Sequence, residues 1–279
     1  MQQIETIAGM KTACRAATRA GKSLGLVPTM GALHEGHQSL VRASKSQCDV
    51  TAVSIFVNPL QFGPTEDLGK YPRTLERDTT LLRELGVDFV YVPAVEEMYR
   101  PGAKTYVDVS DLSNKLDGGS RPGHFRGVST VVCKLFEIVR PDRAFFGQKD
   151  AAQVALLRKM VRDLDMDVQI VVCPIVRAPD GLAMSSRNAY LNPEQRKQAL
   201  VLSRSLQQVK AAVASGELDA AKLAEIGRQA IVSEPAAKLD YFAVIDADTL
   251  EPLKKVSNGT LVAVAAWIGT TRLIDNVIL

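Results

Sequence analysis

The stretch L-G-L-V-P-T-M-G-A-L-H-E-G-H, Leu24 to His37, decides how this chain reads. Leu24, Leu26 and Val27 form an apolar strand-like run, Gly31 lies in the turn after it, and Ser39, Leu40 and Val41 open an amphipathic helix. A strand, a glycine-containing turn and a helix N-terminus in that order make an anion site. Backbone N–H groups and the helix dipole converge there. The stretch also holds two of the three histidines in 279 residues. Spaced i, i+3, His34 and His37 project from one helix face toward such an anion. The bland alternative is a structural turn with two solvated histidines.

Outward from this stretch, apolar β-branched runs alternate with helical patterns. Strands are expected at 24–28, 50–57, 88–92, 143–146 and 168–172, and helices at 38–47, 75–85, 127–139 and 151–164. Such alternation predicts an α/β fold, a Rossmann-like doubly wound parallel sheet covered on both faces. Ligands of these sheets bind at the carboxyl ends of strands, and His34, Asn58 and Gly147 each fall just after a predicted strand. Beyond residue 177 the pattern changes to alanine-rich helices at 193–215 and 219–233, then strands at 241–245, 261–268 and 272–277. Two domains are therefore expected: a nucleotide-binding domain over 1–177 and a smaller α+β domain over 178–279. The stretch D-G-G-S-R-P-G-H-F-R-G, Asp117 to Gly127, reads as a loop, either a flap over the site or plain surface.

Composition narrows the classes. The chain is 46% hydrophobic and 23% charged with a formal charge of +3, ordinary for a globular protein and too balanced to imply a polyanionic partner. No basic run interleaved with aromatics suggests nucleic acid. Cys14, Cys48, Cys133 and Cys173 are isolated, so buried thiols in a reducing cytoplasm are expected rather than zinc or redox chemistry. No signal peptide or membrane span is expected, and the apolar run Leu261 to Ile268, Trp267 included, reads as packed strand. A-A-T-R-A-G-K-S, Ala16 to Ser23, imitates a P-loop, but Ala16 replaces its first glycine and a helical stretch comes before the strand. Lys22 is then a solvated helix-end residue.

A second stretch, L-A-M-S-S-R-N from Leu182 to Asn188, puts hydroxyls beside an arginine just after Gly181. Arg187 offers a planar fork of donors, and Ser185 and Ser186 offer hydroxyls, which suits a clamp on a polyphosphate. Together the two stretches resemble the HIGH and KMSKS signatures of the nucleotidyl-transfer superfamily. The likeness goes further. F-V-N-P-L-Q-F (Phe56 to Phe62), Y-P-R-T (Tyr71 to Thr74), R-P-D-R-A-F-F-G-Q-K-D-A-A-Q (Arg140 to Gln153) and G-T-T-R-L-I-D-N (Gly269 to Asn276) resemble the pantoate–β-alanine ligase family across essentially the whole chain.

That resemblance implies ATP-dependent joining of (R)-pantoate to β-alanine through a pantoyl adenylate, giving pantothenate, AMP and pyrophosphate. It implies ATP contacts from Met30, Gly31, Ala32, Leu33, His34, Glu35, Gly36 and His37. Gly147, Gln148, Lys149 and Asp150, then Val176, then Met184, Ser185, Ser186 and Arg187 complete that set. His37 matches the proton donor, with His34, Lys149 and Arg187 as further catalytic groups. A phosphate neighbour would favour the imidazolium form of either ring. Gln61 and Gln153 would hold pantoate, and Gln61 and Asn58 would hold β-alanine. Mg²⁺ would arrive mainly on the ATP phosphates, with Asp78 the one acidic candidate. Arg77 stands where some relatives carry an acidic residue, which weakens any protein-held metal. A lone His124 beside Phe125 reads as structural more readily than as a substrate contact. The partners implied are small molecules and a second copy of the chain, with neither nucleic acid nor membrane. Rivals from other classes are a nucleotidyltransferase that stops at the adenylylated product, a tRNA synthetase and an ATP-sensing module.

Overall fold

The run Leu24–Thr29 (β2) pairs in parallel with Val50–Ile55 (β3), in register from Leu24–Val50 to Thr29–Ile55. The computed structural model describes residues 1–64 and 66–279. Around this pair lie β1 (Gln2–Ile4), β4 (Phe89–Tyr91), β5 (Arg143–Gly147) and β6 (Gln169–Cys173). All six form one parallel sheet in the order β1-β4-β3-β2-β5-β6. The chain winds outward from β2 through β3 to β4, then returns to place β5 and β6 on the other side. The reversal between β2 and β5 is the switch point at which a crevice opens beyond the strand ends. The turn that follows β2 lies there.

The helices are α1 (Ile7–Arg19), α2 (Glu35–Gln47), α3 (Leu75–Glu84), α4 (Val95–Met98), α5 (Asp117–Ser120), α6 (His124–Val139) and α7 (Ala151–Asp163). Two more, α8 (Pro193–Ala214) and α9 (Ala220–Val232), precede a three-stranded antiparallel sheet of β7 (Ala237–Asp246), β8 (Thr260–Ile268) and β9 (Thr271–Ile278). The fold is the expected Rossmann-like sheet followed by a small α+β part.

The chain forms two compact units, Met1–Gly147 with Leu156–Cys173, and Gln148–Ala155 with Pro174–Leu279. The division expected after residue 177 was contiguous. Residues 148–155 group with the second unit, in which Asn276 on β9 donates to the carbonyls of Gln148 and Lys149. Each unit has its own apolar core. In the first, Val27, Val53 and Phe145 meet Leu40, Val41 and Leu82; in the second, Phe242, Val262 and Val264 meet Leu202, Leu223 and Ile231.

Element ends differ from expectation where capping decides them. Helix α2 starts at Glu35 rather than 38 because His34 is its N-cap. Helix α6 starts at His124 rather than 127, and α5 occupies much of the supposed loop, with Asp117 and Gly118 buried. Strand β7 begins at Ala237 rather than 241, its alternation broken by a register shift between Leu239 and Tyr241. Trp267 is 39% exposed, not core, since its neighbours Ala266 and Ile268 take the buried positions. Helix α1 precedes strand β2 and Lys22 is exposed, so the P-loop imitation has the wrong order. Cys14, Cys48 and Cys173 are buried free thiols and Cys133 is partly buried; burial pushes Cys14 up to about 12. Among the described residues no helix is long and apolar enough to cross a membrane.

Candidate active site

The turn after β2 is held from three sides. Thr29 donates its hydroxyl to the Ser54 carbonyl (2.7 Å) and accepts the Gly31 N–H (3.2 Å). Gly31 and Ala32 follow with φ of +82° and +51°, a left-handed pair that glycine adopts freely and alanine only under strain. Asp78 on α3 offsets that strain. Its Oδ2 accepts the Ala32 N–H (2.8 Å) and the Thr74 hydroxyl (3.1 Å), and its Oδ1 accepts the Leu33 N–H (3.0 Å). Asp78 is 1% exposed and both oxygens are engaged by this turn. It is a clasp for the backbone of this turn. Among the described residues no group of three or more His, Cys, Asp or Glu is placed to hold a metal ion.

The histidines come together as expected, but as a reciprocal cap rather than two side chains on a helix face. His34 Nδ1 accepts the Gly36 N–H (3.1 Å), and His37 Nδ1 accepts the His34 N–H (3.3 Å). Their ring centroids lie 4.1 Å apart. A ring nitrogen that accepts a hydrogen bond carries no hydrogen, so this cap assigns the hydrogen of each imidazole to Nε2. The N–H groups of Gly31, Ala32, Leu33, His34, Gly36 and His37 all donate within the protein. The expected cradle of free backbone N–H groups is thus largely spent. Glu35 forms an exposed ion pair with Arg42.

Gln61 ends a short 3-10 turn, Pro59–Gln61, after β3. Its amide donates toward Met30 Sδ (3.2 Å) and accepts from Asn58 Nδ2 (3.1 Å). Asn58 is 1% exposed: its amide also donates to Gly127 O (3.0 Å), while its oxygen accepts Tyr99 Oη (2.7 Å) and Leu60 N (3.3 Å). Burial pushes the Tyr99 phenol above its ordinary value, so it stays a donor. With its amide filled on both sides, Asn58 orients Gln61.

From the other side His124 Nδ1 lies 2.8 Å from Gln61 O, Arg121 Nη1 lies 3.0 Å from His124 Nε2, and Arg121 donates to both oxygens of Glu66 (2.9 and 2.6 Å). Burial, then the Arg121 charge, lowers His124 to about 4. Burial opposes ionisation of Glu66, yet the Arg121 hydrogen bonds and charge hold it below the usual carboxylate range. His124 is therefore structural in this clasp. Tyr99, Arg121 and Glu66 carried no sequence signal, since nothing in their neighbourhoods links them to Gln61.

The second unit brings its expected residues together in two segments. Gln148–Asp150 forms a 3-10 turn leading into α7, on which Gln153 lies half-buried. Residues 176–184 fold back on themselves. Ala178 O accepts the Gly181 N–H (2.8 Å) around Pro179-Asp180, Val176 O accepts the Met184 N–H (2.9 Å), and Arg177 bridges Ala183. Ser185 then caps a 3-10 turn, accepting the Arg187 N–H at 3.3 Å. Val176 and Met184 through Arg187 are thus set by one hairpin.

A doubly wound parallel sheet with an imidazole pair at its switch-point turn defines an α/β protein of the Rossmann-like class. The pantoate-beta-alanine ligase family profile matches residues 2–278. The chain is 61% identical to a pantothenate synthetase from Koribacter versatilis over 279 residues, covering 100% of this chain and 96% of that one. It is 58% identical to the Acidobacterium capsulatum synthetase, covering 100% and 97%. Among solved structures it superposes on pantothenate synthetase from Thermus thermophilus with a TM-score of 0.94 at 44% identity, covering 100% and 99%. It also matches the Francisella tularensis ligase complexed with beta-gamma ATP and beta-alanine, with a TM-score of 0.82 at 35% identity, covering 100% and 97%. The chain belongs to the pantoate–beta-alanine ligase family and is an enzyme.

Proposed function

We propose that this enzyme condenses (R)-pantoate with β-alanine at the expense of ATP, by way of a pantoyl adenylate. A pantoate carboxylate oxygen attacks the α-phosphorus, the bond to the β-phosphate oxygen breaks, and pyrophosphate leaves. The β-alanine nitrogen then attacks the acyl carbon, AMP departs, and the amine gives up a proton. Both steps ask for positioning and charge stabilisation rather than a protein nucleophile. The observation that carries this reading is the His34–His37 cap, whose rings bear hydrogen on Nε2 and so present donors at the switch-point turn.

In this reading Met30 to His37 meet the nucleotide, with the two Nε2–H groups donating hydrogen bonds to phosphate oxygens as charge builds. Lys149 adds a point cation and Arg187 a planar fork, while Gly147, Gln148, Asp150, Val176 and Met184 to Ser186 complete the ATP contacts. Gln61 and Gln153 orient pantoate through neutral amides, which leave the attacking oxygen uncompensated and nucleophilic. Gln61 also meets β-alanine. Magnesium enters as MgATP, a substrate complex, because Asp78 is committed to the turn. A homodimer, cytoplasmic location and absence of nucleic-acid partners belong to the same reading.

Pyrophosphate–ATP exchange tests it, run with labelled pyrophosphate and Mg²⁺, with and without pantoate, and without β-alanine. Exchange that requires pantoate is expected, and adding β-alanine should release pantothenate and AMP in equal amounts. Exchange without amide formation on adding β-alanine would mark a nucleotidyltransferase. ATP binding with no reaction in the full three-substrate mixture would mark a sensor.

A further inference from the structure

We infer that Asp275 and Asn276, adjacent on β9, are positioning residues that tie together the two nucleotide-facing segments of the second unit. The inference rests on the ligase reading for what those segments bind. Asn276 Nδ2 donates to both Gln148 O and Lys149 O (2.9 Å each), and its Oδ1 accepts Gln148 Nε2 (3.1 Å). A single amide thus grips the turn that carries Lys149 at three points.

Asp275 is engaged by the other segment. Arg177 donates to its two oxygens (2.7 and 2.9 Å) and to Gly181 O (3.1 Å). Arg177 also pairs across the hairpin with Ala183, immediately before Met184 to Arg187. The two anchors are coupled, since Asp275 Oδ1 accepts the Asn276 N–H at 2.8 Å. Consecutive strand residues point to opposite faces of a sheet, so neighbours on one strand address separate segments.

Stability alone does not account for the pair. Both residues are 3% exposed, but Arg177, the ion-pair partner of Asp275, is 33% exposed, and a partly exposed ion pair adds little stability. Leu273 on the same strand shows that β9 accepts an ordinary apolar anchor. What the pair adds is geometry. Lys149 sits on a backbone pinned at its own carbonyl, and the 184–187 loop grows from a hairpin pinned at Arg177. Point-charge and fork contacts to a phosphate are sensitive to such placement.

The test is a double-mutant cycle on ATP affinity, measured by calorimetry on the full chain. Asn276→Ala and Asn276→Asp are made alone and with Lys149→Ala. Asp keeps the shape of Asn but cannot donate to two carbonyls. Each single variant is expected to weaken ATP binding about tenfold, as loss of two hydrogen bonds would. In the Lys149→Ala background the same change should fall to about twofold or less. Should the Asn276 variants fail to fold, Arg177→Lys reads the other limb, being partly exposed and charge-conserving. It is expected to weaken ATP binding about threefold, an effect that Arg187→Ala should abolish.

Unchanged affinity in these variants, an Asn276→Asp protein that binds like wild type, or losses that simply add would each overturn the inference. Wild-type protein that binds no ATP would overturn the ligase reading instead, so the two failures are distinguishable.

Discussion

Asp78 accepts three hydrogen bonds and makes a left-handed alanine tolerable in the turn beside the histidines. Replacing it with Ala orphans the buried N–H groups of Ala32 and Leu33, at roughly 1–3 kcal/mol each. Asp78→Ala should therefore lower the urea midpoint and weaken ATP binding, and raised Mg²⁺ should not restore activity as it would for a lost metal ligand. His124 gives a pH signature. Its folded value near 4 lies below the ordinary 6.5, so the unfolded chain takes up the proton first as pH falls. Stability should drop between pH 6.5 and about 4, by at most about 1.4 kcal/mol per pH unit, and be untouched above 6.5. Glu66, held low by Arg121, loses its contribution in the same direction but at more acidic pH. Urea titrations of His124→Gln against wild type should show that limb flattened; equal slopes between pH 4.5 and 6.5 would remove His124 as its source. At this scale the pairing of His34 with His37 was legible from residue type and order. The commitments of Asp78 and Asn58 were not, because a carboxylate or amide in sequence does not reveal which backbone groups will fill it.

At the scale of elements, the fit of α6 against the Pro59–Gln61 turn decides where Gln61 lies. A Cβ at Gly127 would come within 2.3 Å of Leu60 O and 2.6 Å of Gln61 N, backbone atoms that cannot swing aside. Gly127 O also receives the Asn58 amide. Gly127→Ala should thus cost about 1–3 kcal/mol through overpacking and raise the KM for pantoate with a smaller change in the KM for ATP. Equal changes in both would point to general loosening of the fold. Helix and strand identities were readable from apolar periodicity, and their order followed. Their ends were not, since α2 begins where a histidine caps it and α6 where Gly123 takes φ of +82°. A capping histidine competes poorly with Ser, Thr, Asp and Asn in any sequence reading.

At the scale of the whole molecule, the residues expected to bind ATP are spread along the chain, at 30–37, 147–150, 176 and 184–187. Saturating ATP, at about a hundredfold its Kd, should stabilise the folded protein by about 2.7 kcal/mol. Hydrogen exchange should then slow at amides within both 30–37 and 184–187. Slowing confined to one stretch would remove the other from the site. The sequence by itself determined the Rossmann-like sheet, the second α+β part and the family. Those rest on local periodicity and on short motifs whose chemistry is carried by adjacent residues. Tertiary structure alone decided that Asp78 clasps the turn, that Asn58 serves Gln61, and that Asn276 holds the Gln148 carbonyl. Each of these is a hydrogen bond between residues from 3 to more than 120 positions apart. Which distant donor satisfies a buried polar group is settled only when packing brings the two together and excludes water.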